Sequence, residues 1–351
     1  MPIQRAKPRF ADSKGTATAD QLNIGQIGGR RNMIINGAMN VAQRSTSATG
    51  LGGSSGYFGL DRFQLFFATS GRLTMSQEAD GPSGFANSMK LACTTADTSI
   101  AATENIILSQ AIEAQDLQQL KKGTSDAEKF TLSFYVKGNA SAAYSVEVYD
   151  ADNNRSIGQT FSVTTSWNRV VLTFDADTSG ALNDDNGVGF YVNWWLHAGS
   201  NYTGGTFNTT WNDYVNNQRA GNTTSFLDST DRTFFMTGVQ LEVGEQATPF
   251  EHKSFGEELN LCRRYLYKPD LAGDRIISSV LRPDNKRAFQ VFFPVQMRAD
   301  PTATTTYDAD GSSAALASPS VSKEQFRART DALNATTQDP RLTAFSMDAE
   351  L

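Results

Sequence analysis

Along much of the chain, apolar and polar residues alternate with a period of two. "KFTLSFYVKG" shows it plainly: Phe130, Leu132, Phe134 and Val136 fall on one side, and Thr131, Ser133, Tyr135 and Lys137 on the other. Successive side chains of an extended chain point to opposite faces, so this segment predicts a half-buried strand. The same reading covers "YFGLDRFQLFF", "RLTMSQEA", "SMKLACTTA" and "ENIILSQAIE" before it. It also covers "AYSVEVYDA", "SIGQTFSVTT", "WNRVVLTFDA" and "GVGFYVNWWLHAG" after it. Turn residues interrupt these runs about every eight to twelve residues, the spacing of a sandwich or jelly roll. In "FYVNWWL", Phe190, Val192, Trp194 and Leu196 take the core face and leave Tyr191, Asn193, Trp195 and His197 on the other. "RTFFMTGVQLEVG" reads as the closing strand, with Val239, Leu241 and Val243 inward and Gly244 permitting the turn that follows.

Other segments break the period. In "SFGEELNLCRRYLYK", Phe255, Leu259, Cys262 and Tyr265/Leu266 recur at helical steps and predict one shared buried face. Glu257 and Glu258 open that helix, and Arg263, Arg264 and Lys268 close it, matching the helix dipole. "AQDLQQLKKG" predicts a turn or two of helix, and Asn36-Gly37 a tight turn. "STSATGLGGSSG" reads as a loop. Residues 199–231 form a long polar stretch carrying Tyr202, Phe207, Trp211, Tyr214 and Phe226; such a connection is functional or disordered. Beyond the helix, "RIISSVLR", "AFQVFFPVQMR", "TATTTYD", "SKEQFRART" and "RLTAFSMDAEL" predict strands of a smaller β-domain. The uninterrupted "FQVFFPV" predicts a strand buried on both sides, as such runs often are by a neighbouring chain.

At the other end, residues 1–31 hold Arg5, Lys7, Arg9, Lys14, Arg30 and Arg31 against Asp12 and Asp20, with little apolar surface. Such a composition cannot offset its own ordering entropy and predicts an extended arm. The expected architecture is therefore all-β: an arm over residues 1–31 and a jelly-roll β-sandwich over 32–252. A connecting helix over 253–268 and a small C-terminal β-domain over 269–351 complete it.

Composition supports this picture, with 22 Phe, 10 Tyr, 4 Trp and 28 Gly. A net charge of −6 argues against nucleic acid as a partner. Cys93 and Cys262 are too few for a disulfide scaffold and read as free buried thiols. The first residues lack the apolar core of a signal peptide, and no run of about 18 apolar residues predicts membrane insertion. A soluble product made in the cytosol is expected.

Catalytic chemistry is not expected. His197 and His252 lack a nucleophile-elbow context and zinc-ligand spacing. Paired carboxylates such as Asp184/Asp185 make a poor glycosidase pair, because neighbours on a strand point apart. "GQIGGRR" has neither the strand nor the helix of a dinucleotide loop. "DADNNRS" and "DADTSGALNDDNG" are rich in oxygen ligands, but neither completes a calcium loop, and turn chemistry accounts for both. No metal and no cofactor are expected. One window mixes aromatic rings with amides in the manner of a sugar site: Tyr191, Trp195, Tyr202, Trp211 and Tyr214 are the candidate glycan-binding residues. The Tyr191/Trp195 face has two readings, glycan contact or packing beneath the long loop or a neighbouring subunit.

"NMIINGAMNVAQRST", "LSQAIE", "FTLSFYVKG", "SWNRVVLTFDAD", "GVQLEVGEQATPFEHKSFGEELNLCRRYLY" and the terminal "MDAEL" together resemble bacteriophage tail fibres and related virion proteins. The resemblance implies a jelly roll similar to carbohydrate-binding modules and a small C-terminal β-domain that assembles a homotrimer. It implies a virion (tail) location and a basic arm, with Arg5, Lys7, Arg9 and Lys14, that anchors to other tail or virion proteins. The implied function is attachment to the tail and adsorption to host surface polysaccharide. The alternative is a head-decorating fibre or tail adaptor with a purely structural role; a glycan-degrading spike is the third reading. Related sandwiches often carry a calcium-binding acidic pair where this chain has Thr237 and Gly238, which puts that site in doubt.

Overall fold

The computed structural model describes residues 30–221, 224–269, 279–281, 287–309, 312–314, 317–329 and 341–351. Among the described residues thirteen strands precede the helix at Phe255–Arg263: β1 (Ser47–Leu51), β2 (Gly56–Tyr57), β3 (Gln64–Ala68), β4 (Arg72–Glu78), β5 (Ser88–Thr95), β6 (Asn105–Glu113) and β7 (Phe130–Gly138). Then come β8 (Ala142–Asp150), β9 (Arg155–Val163), β10 (Asn168–Phe174), β11 (Val188–Ala198), β12 (Asn212–Asp213) and β13 (Thr233–Val243). They form a six-stranded sheet, β1-β4-β5-β13-β7-β10, and a seven-stranded sheet, β12-β9-β8-β11-β6-β3-β2. The pairs are antiparallel, and the sheets face each other across one core as a jelly-roll sandwich. The alternating residues do what their period requires: Phe130, Leu132, Phe134 and Val136 are buried against Phe190, Val192, Trp194 and Leu196. Cys93 and Cys262 are free and buried.

β1 lies inside "STSATGLGGSSG", which the sequence reads as a loop. Gly and Ser hide the strand, because only Leu51 of its five residues is buried. The closing strand β13 carries a bulge between Thr237 and Gln240, where Gly238 sits at φ 62°. A side chain there would strike the Phe85 and Tyr135 rings, so glycine is required by conformation and by space. Val239 and Leu241 are inward as expected, and Val243 packs on the core edge.

The helix α1 spans Phe255–Arg263, shorter than 253–268, because Leu266–Tyr267 extend into a strand, β14. Ser254 and Glu257 close a reciprocal capping box at its start. Phe255 is 59% exposed and does not share the buried face with Cys262, contrary to the expected stripe. Glu258 is buried instead, because its carboxylate accepts the Asn36 backbone N–H at 2.5 Å.

Among the described residues seven more strands follow: β15 (Ser279–Leu281), β16 (Arg287–Phe292), β17 (Thr302–Ala309), β18 (Ser312–Ala314), β19 (Ala317–Val321), β20 (Gln325–Arg329) and β21 (Arg341–Asp348). They make two four-stranded sheets, β14-β21-β17-β18 and β15-β16-β20-β19, with a small core that includes Phe289, Val291, Phe326 and Phe345. Within the single chain, Phe289 and Val291 of β16 are buried and Phe292 is 69% exposed.

The C-terminal residues key this unit to the sandwich. Arg62, 1% exposed, pairs with Glu350, lies over the Tyr265 ring at 3.4 Å and donates to the Ala111 carbonyl at 2.7 Å. Arg44 adds contacts to Asp348 at 2.8 Å and Glu350 at 3.2 Å. Arg264 grips Glu113 through two hydrogen bonds of 2.7 and 2.6 Å. Segments distant in sequence thus meet at one junction: residues 32–44, the start of α1, β14 and the last four residues. Arg5, Lys7, Arg9 and Lys14 lie outside the described residues.

Candidate functional site

Strand register builds a ladder of outward-facing side chains across the seven-stranded sheet. One row runs Phe66, Ile107, Trp195, Ser145 and Thr160; the next runs Gln64, Ser109, Asn193, Glu147 and Gly158. A third brings Ala111, Tyr191, Tyr149 and Ser156 together. The first part of the long polar stretch, through residue 221, folds back over this face, placing Tyr202 on Trp195 with ring centroids 5.1 Å apart and Arg219 above Glu147.

Glu147 is the polar centre. It is 1% exposed, so its charge requires partners, and it has four donors. Arg219 Nε donates to Oε1 at 2.8 Å and Nη2 to Oε2 at 2.8 Å. Asn193 Nδ2 donates to Oε2 at 3.0 Å and Trp195 Nε1 at 3.2 Å. Asn193 in turn accepts the Ser109 hydroxyl at 2.7 Å. The Arg219 guanidinium is further fixed by the Trp195 and Tyr214 rings, each 4.8 Å away, and by a bond of 3.0 Å to the Tyr214 oxygen. Burial opposes the Arg219 charge, but the adjacent Glu147 carboxylate outweighs it and holds the guanidinium above its ordinary pKa. The floor is thereby ordered in advance: each group has one geometry, fixed by packing and hydrogen bonds.

Beside this floor lies a cleft of about 310 Å³. Tyr149 and Tyr191 form one wall, stacked at 6.2 Å and 17°. Phe66, edge-on to Tyr191 at 6.4 Å, lines it together with Phe67, Tyr202 and Asn105. Ile107, Asn193 and Arg219 also line it. Aromatic faces beside fixed amide and guanidinium groups suit a ligand with apolar patches and many hydroxyls. Burial pushes the Tyr191 phenol above its ordinary pKa.

The five candidate residues separate on folding. Tyr191 and Tyr202 line the cleft. Trp195 does not: it is 0% exposed beneath Tyr202 and Arg219, because the long stretch covers it, and it acts as a donor to Glu147. Of the two readings of that face, loop packing holds for Trp195. Tyr214 stands behind the wall, 5.0 Å from Tyr149 and in contact with Arg219. Trp211 belongs to another region, packed on Phe130 and Phe190 with Nε1 donating to the Asp175 carbonyl at 2.7 Å. Phe66, Asn105, Tyr149, Glu147 and Arg219 were missed. The alternation of "AYSVEVYDA" puts Glu147 and Tyr149 on the outer face, so these two had a signal; Arg219 had none.

The two aspartate-rich segments do converge, but on a lysine. Lys122 Nζ lies 2.5 Å from Asp150 and 3.0 Å from Asp177, and donates to the carbonyls of Ser179 and Gly180 at 2.8 and 2.9 Å. The ammonium fills the oxygen cage with its own charge. Among the described residues no cluster of His, Cys, Asp and Glu is arranged to hold a metal. His197 is buried; its Nδ1 lies 2.9 Å from the Ser225 hydroxyl, and burial lowers its pKa. The sequence's His197 therefore fastens the long stretch to β11.

No family model matches the sequence, and no curated protein matches it. Among solved structures the chain is similar to the carbohydrate-binding module CBM4, with a TM-score of 0.32 and 13% identity over 59% of this chain and 97% of that one. It is similar to a family 11 carbohydrate-binding module from Clostridium thermocellum in complex with a β-1,3-1,4-mixed-linked tetrasaccharide: TM-score 0.30, 10% identity, 58% of this chain and 99% of that one. A third is the enzymatically active domain of tailspike protein 4 of bacteriophage CBA120, with TM-score 0.31 and 13% identity. That match covers 60% of this chain and 21% of the tailspike chain, so the likeness reaches only a fraction of the tailspike's length.

Proposed function

We propose that this chain is a phage virion protein, a tail fibre, whose sandwich adsorbs to host surface polysaccharide through the cleft beside Tyr191. The observation that carries the reading is the cleft itself: aromatic walls from Tyr149, Tyr191, Phe66 and Tyr202 beside a floor whose polar groups are already fixed. The virion assignment rests on the sequence resemblance. Assembly as a homotrimer through the C-terminal unit would present several clefts at once and turn weak contacts into avidity; the exposed Phe292 supports such an assembly. The arm, with Arg5, Lys7, Arg9 and Lys14, would anchor the fibre to the virion.

The test is surface plasmon resonance on immobilised bacterial lipopolysaccharides and capsular polysaccharides, with the full chain and its Tyr191→Ala variant. Binding to at least one polysaccharide, weakened tenfold or more by the substitution, is the expected result. Absence of binding, or binding indifferent to Tyr191, contradicts the adsorption reading. It would favour the structural alternative, a decorating fibre or tail adaptor, to which the burial of Trp195 already lends weight. The mass of the full chain in solution tests the assembly: a trimer is expected, and a monomer removes the claim.

A further inference from the structure

Resting on the glycan reading of the cleft, we propose that its ligand is an acidic saccharide whose carboxylate docks on Arg219. Three observations lead there. First, among the described residues the cleft is lined by aromatic, aliphatic, amide and hydroxyl groups and by one formal charge, the Arg219 guanidinium, and by no carboxylate. Second, Glu147 does not present its negative charge to a ligand. It is 1% exposed, and both oxygens are occupied by Arg219, Asn193 and Trp195. Third, Arg219 has donors to spare. Its Nε and Nη2 reach Glu147 and its Nη1 reaches Tyr214, which leaves one N–H on each Nη without an acceptor among the described residues.

These features make a directional anion seat. The planar guanidinium is held on one edge by Glu147 and on one face by Trp195, so it loses little freedom when a second carboxylate joins it. Charge-assisted bonds to such a fixed fork are the strong ones. The side chain is 13% exposed, enough for the edge of a ligand but not for free hydration. Tyr191, which also lines the cleft, adds a hydroxyl to the polar groups there. A cationic amino sugar meets no acceptor of opposite charge among the described lining residues. A uronic or sialic acid meets the fixed guanidinium, with Tyr191 and Tyr149 for its apolar ring face.

The experiment is isothermal titration of the full chain with an oligogalacturonate, an oligomannuronate and an oligosialic acid, each beside its carboxyl-reduced form. The wild type is expected to bind at least one acidic form, and carboxyl reduction to weaken it tenfold or more. Arg219→Lys keeps a charge but loses the fork, and is expected to weaken the acidic ligand tenfold or more relative to its reduced form. Tyr191→Ala weakens both forms and serves as the second variant should Arg219→Lys fail to fold. If acidic and reduced forms bind alike and Tyr191→Ala abolishes both, the carboxylate seat is overturned and the glycan reading stands. If neutral saccharides bind and no acidic one does, the seat is likewise overturned. If no saccharide of either kind binds, both fall together.

Discussion

Arg219 and Arg62 invite comparison, because the same chemistry serves two ends. Each pairs with a buried glutamate, Glu147 and Glu350, and each lies on an aromatic ring, Trp195 at 4.8 Å and Tyr265 at 3.4 Å. Arg62 is sealed at 1% side-chain exposure and spends its second Nη on the Ala111 carbonyl. Arg219 keeps 13% of its side chain accessible and lines a cleft. A guanidinium sealed at a junction fastens two units, since breaking it strands a charge. One left at the edge of a cleft is a rigid donor set for something outside the chain. The glutamate decides neither case; the difference lies in what covers the arginine.

The largest effect should come from breaking the sealed member. Arg62→Met leaves Glu350 buried with only Arg44 for company, and a loss of about 3–5 kcal/mol in unfolding free energy is expected by urea titration. Saccharide affinity should not change. Coupled loss of binding would mean that cleft and junction are one cooperative element.

The junction also predicts a pH signature with two opposing signs. Burial raises the Asp61 carboxyl to about 6, against hydrogen bonds from Gln43 that favour its charge. The folded chain therefore holds a proton between about pH 4 and 6 that the unfolded chain releases, and stability from this group falls as pH rises through that window. Asp61→Asn keeps an acceptor for the Gln43 N–H and should remove a decline on the order of 2–3 kcal/mol. Glu113 runs the other way. Burial would raise it, but hydrogen bonds from Arg264 and Tyr265 bring it below the ordinary glutamate value. Its contribution is complete above that ordinary value and is lost as pH falls through the lowered folded one. Urea midpoints between pH 3 and 8 for wild type and Asp61→Asn separate the two; a flat difference across the series contradicts the assignment.

The smallest effect belongs to Trp211. Trp211→Phe gives up one hydrogen bond to the Asp175 carbonyl and should cost about 1 kcal/mol. Saccharide affinity should stay within about twofold, because Trp211 lies outside the cleft. A larger loss of binding would extend the site along the sheet.

Much of this was legible because a period of two is a local signal. The inward set Phe190, Val192, Trp194 and Leu196 follows from alternation alone, and the outward Tyr191 with it. Trp195 shares that outward face in sequence and is nevertheless sealed, because Tyr202 and Arg219 of the long stretch fold back over it and no local pattern encodes a return. Arg219 is invisible for the same reason: its meaning comes from Glu147, 72 positions away. The aspartates of 150–187 were read one segment at a time, whereas Lys122 joins them only in space. β1 was lost to glycine and serine, which carry little pattern even in a strand.

The most direct test of the central claim is a crystal structure of the chain soaked with the tightest-binding acidic oligosaccharide. The account predicts a sugar ring against Tyr191 and Tyr149, with its carboxylate within hydrogen-bond distance of Arg219. A saccharide seated on the six-stranded sheet or at the junction with the C-terminal unit, with the cleft empty, would contradict it.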